Sequence, residues 1–489
     1  MAIDEAAPDV KAYRHMMAGR FADALPFARE AVTGQPRCLP AHGMLATILA
    51  RLGRAAEADA VVRAALELDE GSADAYDSLA HVSLLLGKHE RSNELYKRVV
   101  SLAAGDARFW YNLAASERSL GRLAEAEAAC DRAIALAAAH YPAYLLRSEL
   151  RPQTLEANHV RELETLLARP GLDERGRVSL GYALAKELDD LARYAEAFRW
   201  FSAAAQARRR LLSYDVAVDE RKLARIAAAY PLEALRRESP RGDAARYAFI
   251  VGLPRSGTTL VEHILQGLTG VRSNGETDNF SAALLAAAPA GGSDVFARAA
   301  AADPAQVAAN YAQLAGAAGP GEIVLEKLPM NYLYLGAIHR ALPEAKLILV
   351  SRDPLDSCFA MYRTLFAAAY PFTYDFEDLA RYYAAYDRLM RHWRAGFGAQ
   401  IHEVQYEELV AEPAKVARAL ANYCGLEWTP AALDVHRRGG VSLTASAAQI
   451  RRPIYGSSSG RWRHYAVHLA PLVAALRRQG LPVPAEAGG

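Results

Sequence analysis

The sequence predicts an α-solenoid joined to an α/β domain with a mainly parallel sheet of about five strands. Three observations carry that prediction. Glycines recur at Gly19, Gly53, Gly87 and Gly121, each 34 residues after the last. Short apolar runs near 248, 271, 324, 348 and 403 alternate with helical stretches, the texture of strands joined by helical crossovers. Between the two regions lies the polar, turn-rich segment Glu238 to Arg246, which reads as a linker. The expected division is a helical domain over 1–225, with clear repeats over 5–145 and a degenerate stretch over 146–212, then a linker over 226–245 and the α/β domain over 246–489. At 489 residues the chain is too long for one ordinary core, so two domains are the natural expectation.

The first element is the repeat itself. Five residues after each glycine stand Ala24, Ala58, Ser92 and Ala126, and twelve after it stand Ala31, Ala65, Val99 and Ala133. Small residues at those places let two helices approach closely. Leu45, Leu79 and Leu113 lie eight residues before the last three glycines, with Tyr76 and Trp110 eleven before the last two. This pattern resembles the tetratricopeptide repeat, in which stacked helix pairs bury one another's apolar faces. The resemblance implies a concave face for a protein or peptide partner. Pro36 fits the terminal turn of the first repeat, whereas Glu70, Ala104 and Ala138 depart from it, and the period fades after Tyr144. Helix, turn, helix character returns over Leu180 to Arg208, with Phe198, Trp200 and Phe201 read as core. The cluster Arg208 to Arg210 is either a solvated helix end or a contact to the second domain.

The second domain opens with the β run Tyr247 to Val251, then GLPRSGTT from Gly252 to Thr259, then a helical stretch. A strand, a glycine-bounded loop and a helix make a phosphate grip, because the curled backbone turns its amides inward and the helix N-terminus favours an anion. Pro254, Arg255, Ser256, Gly257, Thr258 and Thr259 are the candidate binding residues, with Arg255 as a fixed cation. The loop comes close to GxxxxGK[ST], but Thr258 stands where that motif needs Lys, which disfavours γ-phosphate chemistry. The PRSGTT loop instead resembles the 5′-phosphosulfate loop of the sulfotransferase superfamily. That resemblance implies 3′-phosphoadenosine 5′-phosphosulfate as co-substrate, with no metal required.

A second signature of that family is a strand ending in Arg before a helix that grips the 3′-phosphate. KLILVSRDPLDSCFAMY supplies it, with a strand over Leu347 to Val350, then Arg352, Asp353 as N-cap and Pro354 as first helical residue. The family's usual Ser, eight residues beyond the Arg, is Ala360 here, and Ser357 is the nearest hydroxyl. Glu276, in GETDNF, is the candidate general base, since sulfuryl transfer to a hydroxyl needs a carboxylate to take its proton. It resembles the base of the tyrosylprotein and glycan branches; the plain alternative is a salt-bridged loop carboxylate. Lys327 ends the run EIVLEK at the carboxyl edge of the sheet, where open α/β sheets collect ligands, and the resemblance gives it the charge on the bridging oxygen. The terminal segment Leu443 to Tyr465 resembles the family's closing loop and nominates Arg461 and Trp462 after Gly460, with Ser446, Arg451 and Arg452 as weaker candidates. Tyr382, Tyr383, Tyr386 and Trp393 recur at near-helical spacing and read as a core face.

Composition narrows the remaining choices. A net charge of +1 gives no support to a nucleic-acid or anionic-membrane partner. Cys38, Cys130, Cys358 and Cys424 are scattered without a CxxC pair, so no zinc site is expected and buried small hydrophobes are. The N-terminus carries Asp4, Glu5 and Asp9 with no basic and apolar leader, and no apolar run reaches membrane-spanning length, so a cytoplasmic chain is expected. The reading is a tetratricopeptide-repeat sulfotransferase acting on a peptide, protein or glycan hydroxyl, protein tyrosine among them. A P-loop kinase or NTPase, and a non-catalytic repeat scaffold with a relict nucleotide domain, are the alternatives.

Overall fold

The computed structural model describes residues 7–68, 72–236, 247–291, 294–366, 369–437, 454 and 459–484. They form two compact units that divide between Arg151 and Pro152. No helix among the described residues is long and apolar enough to cross a membrane.

The first unit is a run of antiparallel helix pairs: α1 (Pro8–Met17) with α2 (Phe21–Gly34), α3 (Leu39–Arg51) with α4 (Ala55–Leu66), α5 (Ala73–Leu85) with α6 (His89–Leu102), α7 (Ala107–Leu120) with α8 (Leu123–Leu136), then α9 (Tyr141–Glu149). The spaced glycines sit in the turn inside each pair, and all four have φ between 69° and 80°. Only a residue without Cβ takes that conformation cheaply, which is why the period is written in glycine. Ala24, Ala58, Ser92 and Ala126 are wholly buried where paired helices meet. The Ser92 hydroxyl stays satisfied by donating to the Ala80 carbonyl, 2.8 Å away. Leu45, Leu79, Leu113 and Tyr76 fill the space between neighbouring pairs.

The second unit begins with four more helices, α10 (Val160–Leu167), α11 (Glu174–Asp190), α12 (Tyr194–Arg210) and α13 (Val216–Ala229), and the short α14 (Leu232–Leu235). The boundary placed at 226–245 from sequence therefore lies inside this unit. The pair α11 and α12 does close as a repeat does, with Gly181 set against Ala204. Its outer face, however, packs on later parts of the chain: Phe198 stacks on His468 at 4.8 Å, and the Tyr182 hydroxyl donates to the Tyr362 carbonyl at 3.0 Å. A helix-pair pattern says that a face is apolar, not what covers it. Of the arginine cluster, Arg209 reaches Asp378 at 2.8 Å and Arg208 lies over the Tyr374 ring, while Arg210 pairs with Glu174.

All five expected strands form: β1 (Tyr247–Gly252), β2 (Val271–Ser273), β3 (Ile323–Lys327), β4 (Lys346–Ser351) and β5 (Ile401–Gln405). Their order is β2-β3-β1-β4-β5 and every pairing is parallel, so the sheet is wholly rather than mainly parallel. The helices that follow in sequence are α15 (Thr258–Leu265), α16 (Asn279–Ala287), α17 (Val295–Ala300), α18 (Pro304–Ala315), α19 (Leu335–Ala341), α20 (Pro354–Tyr362), α21 (Phe376–Phe397), α22 (Tyr406–Ala411), α23 (Pro413–Cys424) and α24 (Ala470–Arg478). One sheet face, with Ile250, Leu325, Ile348 and Val350, is covered by α15 and α23. Phe249 on the other face meets the rings of Phe280 and Tyr311. Helix α21 buries Tyr382, Tyr383, Tyr386 and Trp393, as a core face should. Cys130, Cys358 and Cys424 are buried, and Cys38 is half-buried. With β3 and β4 on either side of β1, the chain reverses direction across the sheet at β1, the place where parallel α/β sheets open a crevice at their carboxyl ends.

Candidate active site

The loop after β1 is shaped by two glycines whose missing side chains are a requirement. A Cβ on Gly252 stands 2.5 Å from the Val350 carbonyl oxygen of the neighbouring strand, and one on Gly257 runs into the ring of Tyr406. Gly257 has φ 108° and leads directly into α15. Between them Arg255 holds φ 67°, a conformation that costs a non-glycine residue about 1–2 kcal/mol and is kept where surroundings or function demand it. Ser256, Thr258 and Thr259 are buried in the cradle. The Ser256 hydroxyl finds no hydrogen-bond partner among the described residues. A buried hydroxyl left in that state is destabilising unless a ligand meets it, so the cradle fits an anionic group.

Arg352 comes to the same place. Gly252 and Val350 are register partners on adjacent parallel strands, so the residues following both strands emerge together. An Arg352 amino group donates to the Arg255 carbonyl at 3.1 Å, its guanidinium lies over the Tyr406 ring at 4.8 Å, and Asp356 stands 3.8 Å away. Helix α20 starts as the sequence indicates: Pro354 opens it and the Asp353 carboxylate accepts from the amides of Leu355 and Asp356, each at 3.0 Å. Ser357 is buried on this helix, whereas Ala360 keeps partial exposure.

The closing segment is tied to the same helix. Asp356 accepts from the Gly460 amide at 2.5 Å and from the Trp462 amide at 3.4 Å. Arg461 turns elsewhere, pairing with Asp189 of α11 at 2.6 Å; Arg363 joins at 2.8 Å and the Tyr465 hydroxyl also donates to Asp189. Burial alone raises the Asp189 carboxyl, but the two guanidiniums and the phenol outweigh it and hold the group below its usual range. Trp462 is buried, with the Arg463 guanidinium 5.0 Å from its ring centre. Ser446, Arg451 and Arg452 lie outside the described residues.

Glu276 and Lys327 meet directly. Lys327 is 1% exposed at the end of β3, and its ammonium donates to the Glu276 carboxylate and lies 3.5 Å from Glu262 of α15. Burial raises the Glu262 carboxyl against the pull of Lys327. The turn carrying Glu276 is stapled down: Lys327 donates its amide to the Gly275 carbonyl at 3.0 Å, the Gly275 amide donates to the Ser273 hydroxyl at 2.9 Å, and that hydroxyl donates to Glu262 at 2.6 Å. Glu276 itself keeps 39% side-chain exposure. A half-open carboxylate beside a buried ammonium suits one group that trades protons and one that holds a charge. Lys327 is level with Ile250, so this pair and the phosphate-type loop occupy neighbouring strand ends.

Sequence reasoning missed four carboxylates. Glu262 sits one turn into α15, where a charge on an otherwise apolar helix was the available signal. Asp356, although four residues from Arg352, and Asp189 gave none, because the hydrogen-bond partners that fix them lie about a hundred residues or more away in the chain. Glu326 was also passed over; it faces away from Lys327 across β3, fully buried, and its carboxyl is pushed up to about 7 by burial.

Parts of the chain are similar to known proteins. Residues 248–430 match the sulfotransferase family, and 15–82 and 107–140 match the tetratricopeptide repeat. An uncharacterised protein of Aquifex aeolicus is 29% identical over 355 residues, 68% of this chain; this chain spans 46% of that protein's length. The protein-tyrosine sulfotransferase 2 of Gallus gallus is 25% identical over 257 residues, 47% of this chain and 68% of that one. The sulfotransferase domain of the Synechococcus PCC 7002 olefin synthase aligns with TM-score 0.36 at 20% identity, over 50% of this chain and 99% of that one.

Proposed function

We propose that this chain, which joins tetratricopeptide repeats to a sulfotransferase-family domain, moves a sulfuryl group from 3′-phosphoadenosine 5′-phosphosulfate to a hydroxyl acceptor. The observation that carries the reading is the meeting of two strand ends: the Arg352 guanidinium bonds to the backbone of the loop that holds Arg255. One nucleotide bearing phosphates at both ends spans such a pair of cations. The bound co-substrate supplies an activated sulfuryl group and a phosphate leaving group. Ser256, Thr258, Thr259 and the start of α15 hold the 5′ end through hydroxyls and amides, with Arg255 beside them. Arg352 holds the 3′-phosphate, next to the Gly460–Trp462 turn that Asp356 fixes in place. Arg461 reaches that phosphate only by leaving Asp189.

Glu276 takes the acceptor's proton as the acceptor oxygen bonds to sulfur, and the bond from sulfur to the bridging oxygen breaks to leave adenosine 3′,5′-bisphosphate. Lys327 stabilises the charge left on that oxygen, and its present bond to Glu276 keeps the two groups on one site before substrates enter. The name of the Gallus relative supports a phenolic acceptor hydroxyl. The repeats supply a surface for a protein or peptide partner.

Calorimetry tests the donor site. Adenosine 3′,5′-bisphosphate should bind well above adenosine 5′-phosphate, and Arg352→Ala should erase that preference; equal affinities in the wild type remove the 3′-phosphate site. Glu276→Gln should bind the bisphosphate normally while turnover falls about 10²–10⁴-fold, the usual share of a general base.

A further inference from the structure

Past the end of β3 lies a cleft of ≈ 370 Å³, large enough for an aromatic ring with a short side arm. It is built from the start of α13 and from Met330, Tyr370 and Phe372. Its floor is rigid: Phe372 and Tyr382 stack with centroids 3.5 Å apart and planes 6° from parallel, and the Tyr382 hydroxyl meets that of Tyr332 at 2.5 Å. Tyr370 lines the cleft beside Phe372, its ring set edge-on to that of Phe372 at 6.2 Å. Its backbone is held at φ 57°, strain of the kind that marks working residues. Burial first and the Glu276 charge second raise its phenol, which places Tyr370 within the field of the candidate base. Met330 follows Lys327 by three residues. Three residues of chain span no more than about 11 Å, so the cleft lies near the end of β3 that carries Lys327.

Its outer rim is charged. Asp215 and Asp219 line it against a single Lys222. Asp219 accepts from the Tyr214 hydroxyl at 2.9 Å and stands 3.8 Å from Lys222. Asp215 caps α13 through one oxygen, on the Ala217 amide. The arginines nearby are already matched, Arg209 by Asp378 and Arg381 by Glu220, so the rim keeps a surplus negative charge.

We propose that this cleft is the acceptor site and that it takes a phenol whose side arm carries a positive charge. The inference rests on the sulfuryl-transfer reading above. The ring lies on the Phe372 and Tyr382 floor, the hydroxyl points to Glu276, and the cationic arm lies between Asp215 and Asp219. Helix α13, assigned from sequence to the repeat domain, becomes the element that chooses the acceptor.

Three phenols of one ring size and different charge test it: tyramine (cationic), tyrosol (neutral) and 4-hydroxyphenylacetate (anionic). The wild type should show kcat/KM falling in that order by about fivefold per step, the scale of a partly exposed charge pair. In Asp215→Asn/Asp219→Asn the three should converge, while calorimetric affinity for adenosine 3′,5′-bisphosphate stays at the wild-type value. Asn keeps both the cap and the Tyr214 partner. Equal rates, or the reverse order, in the wild type overturn the proposal. Sulfation of aliphatic alcohols with phenols inert overturns it too and leaves the donor reading standing. Failure to bind the bisphosphate defeats the donor reading itself.

Discussion

Glycine does the same backbone task in both units of the molecule but under different pressure. In the repeats Gly19 and Gly87 have open space where a side chain would start, and only their positive φ excludes other residues. In the strand-and-loop unit Gly252 and Gly257 face backbone or ring atoms as well. Polar burial divides less cleanly, since the repeats also bury Glu117 and Arg147. Repeat ion pairs such as Arg91 with Asp59 and Arg122 with Glu90 link neighbouring helix pairs, with residues 32 apart in both cases, and stay near the surface. The second unit puts Lys327, Glu262, Arg352, Asp356 and Asp189 inside. A repeated environment tolerates graded change; a single, crowded one does not.

The sharpest way to break that contrast is to make one substitution in each place. Gly252→Ala puts a methyl group 2.5 Å from the Val350 carbonyl within a paired strand. Neither atom can withdraw, so we expect a loss on the order of 3 kcal/mol or more, together with loss of bisphosphate binding. Gly87→Ala meets nothing within 4 Å and should cost about 1 kcal/mol, the strain of a left-handed alanine. Urea unfolding of both variants checks the pair. Similar losses would mean that the loop adjusts as easily as a repeat turn.

The same contrast explains what could be read from the sequence. The repeat was legible because Gly, small and large residues each return every 34 positions, so local rules suffice. The strands were legible from their apolar runs, and the positions of Arg255, Arg352, Glu276 and Lys327 because each stands at a strand end or just after one. The membership of α11 to α13 was not legible, since Tyr182 and Phe198 look equally apolar whichever partner covers them. Glu262 and Asp189 escaped because buried charge is defined by partners distant in sequence, and sequence order does not supply those partners. The rim of Asp215 and Asp219 escaped because the cleft that it borders is completed by Met330, Tyr370 and Phe372, more than a hundred residues later.

An intermediate effect is expected at Glu326, where the second unit keeps a charge that lowers its stability. Burial lifts this carboxyl from 4.5 to about 7, against the pull of Tyr311, Asn331, the Phe280 amide and Thr277. The folded state therefore binds more protons than the unfolded one between those pH values, and stability falls as pH rises through the window. The shift corresponds to about 3 kcal/mol at most once pH passes 7. Glu326→Gln, neutral at every pH, should match the wild type near pH 4.5 and melt higher than it at pH 8.5. A pH-independent gap between the two would show that the carboxylate is as well solvated folded as unfolded.

The smallest effect should come from the repeat's own ion pairs. Arg91 and Asp59 are 2.6 Å apart with side chains about a fifth exposed, and Arg91 also donates to the Ser83 hydroxyl at 3.0 Å. The hydrogen bond from Arg91 holds the Asp59 carboxyl below its usual 3.8 against a smaller upward push from burial. A depressed acid stabilises the fold above its unfolded value and stops doing so as pH drops through the folded one. The benefit is thus present at neutral pH and lost below about pH 4. Solvent screening limits it to under about 1 kcal/mol, less in high salt. Asp59→Asn should therefore speed hydrogen exchange in α4 and α6 by no more than about fivefold at low salt. Exchange in β1 and β4 should be unchanged, because each helix pair touches only its neighbours. Faster exchange throughout the sheet would overturn the nearest-neighbour account of the repeats, since a pair worth so little could then not be acting locally.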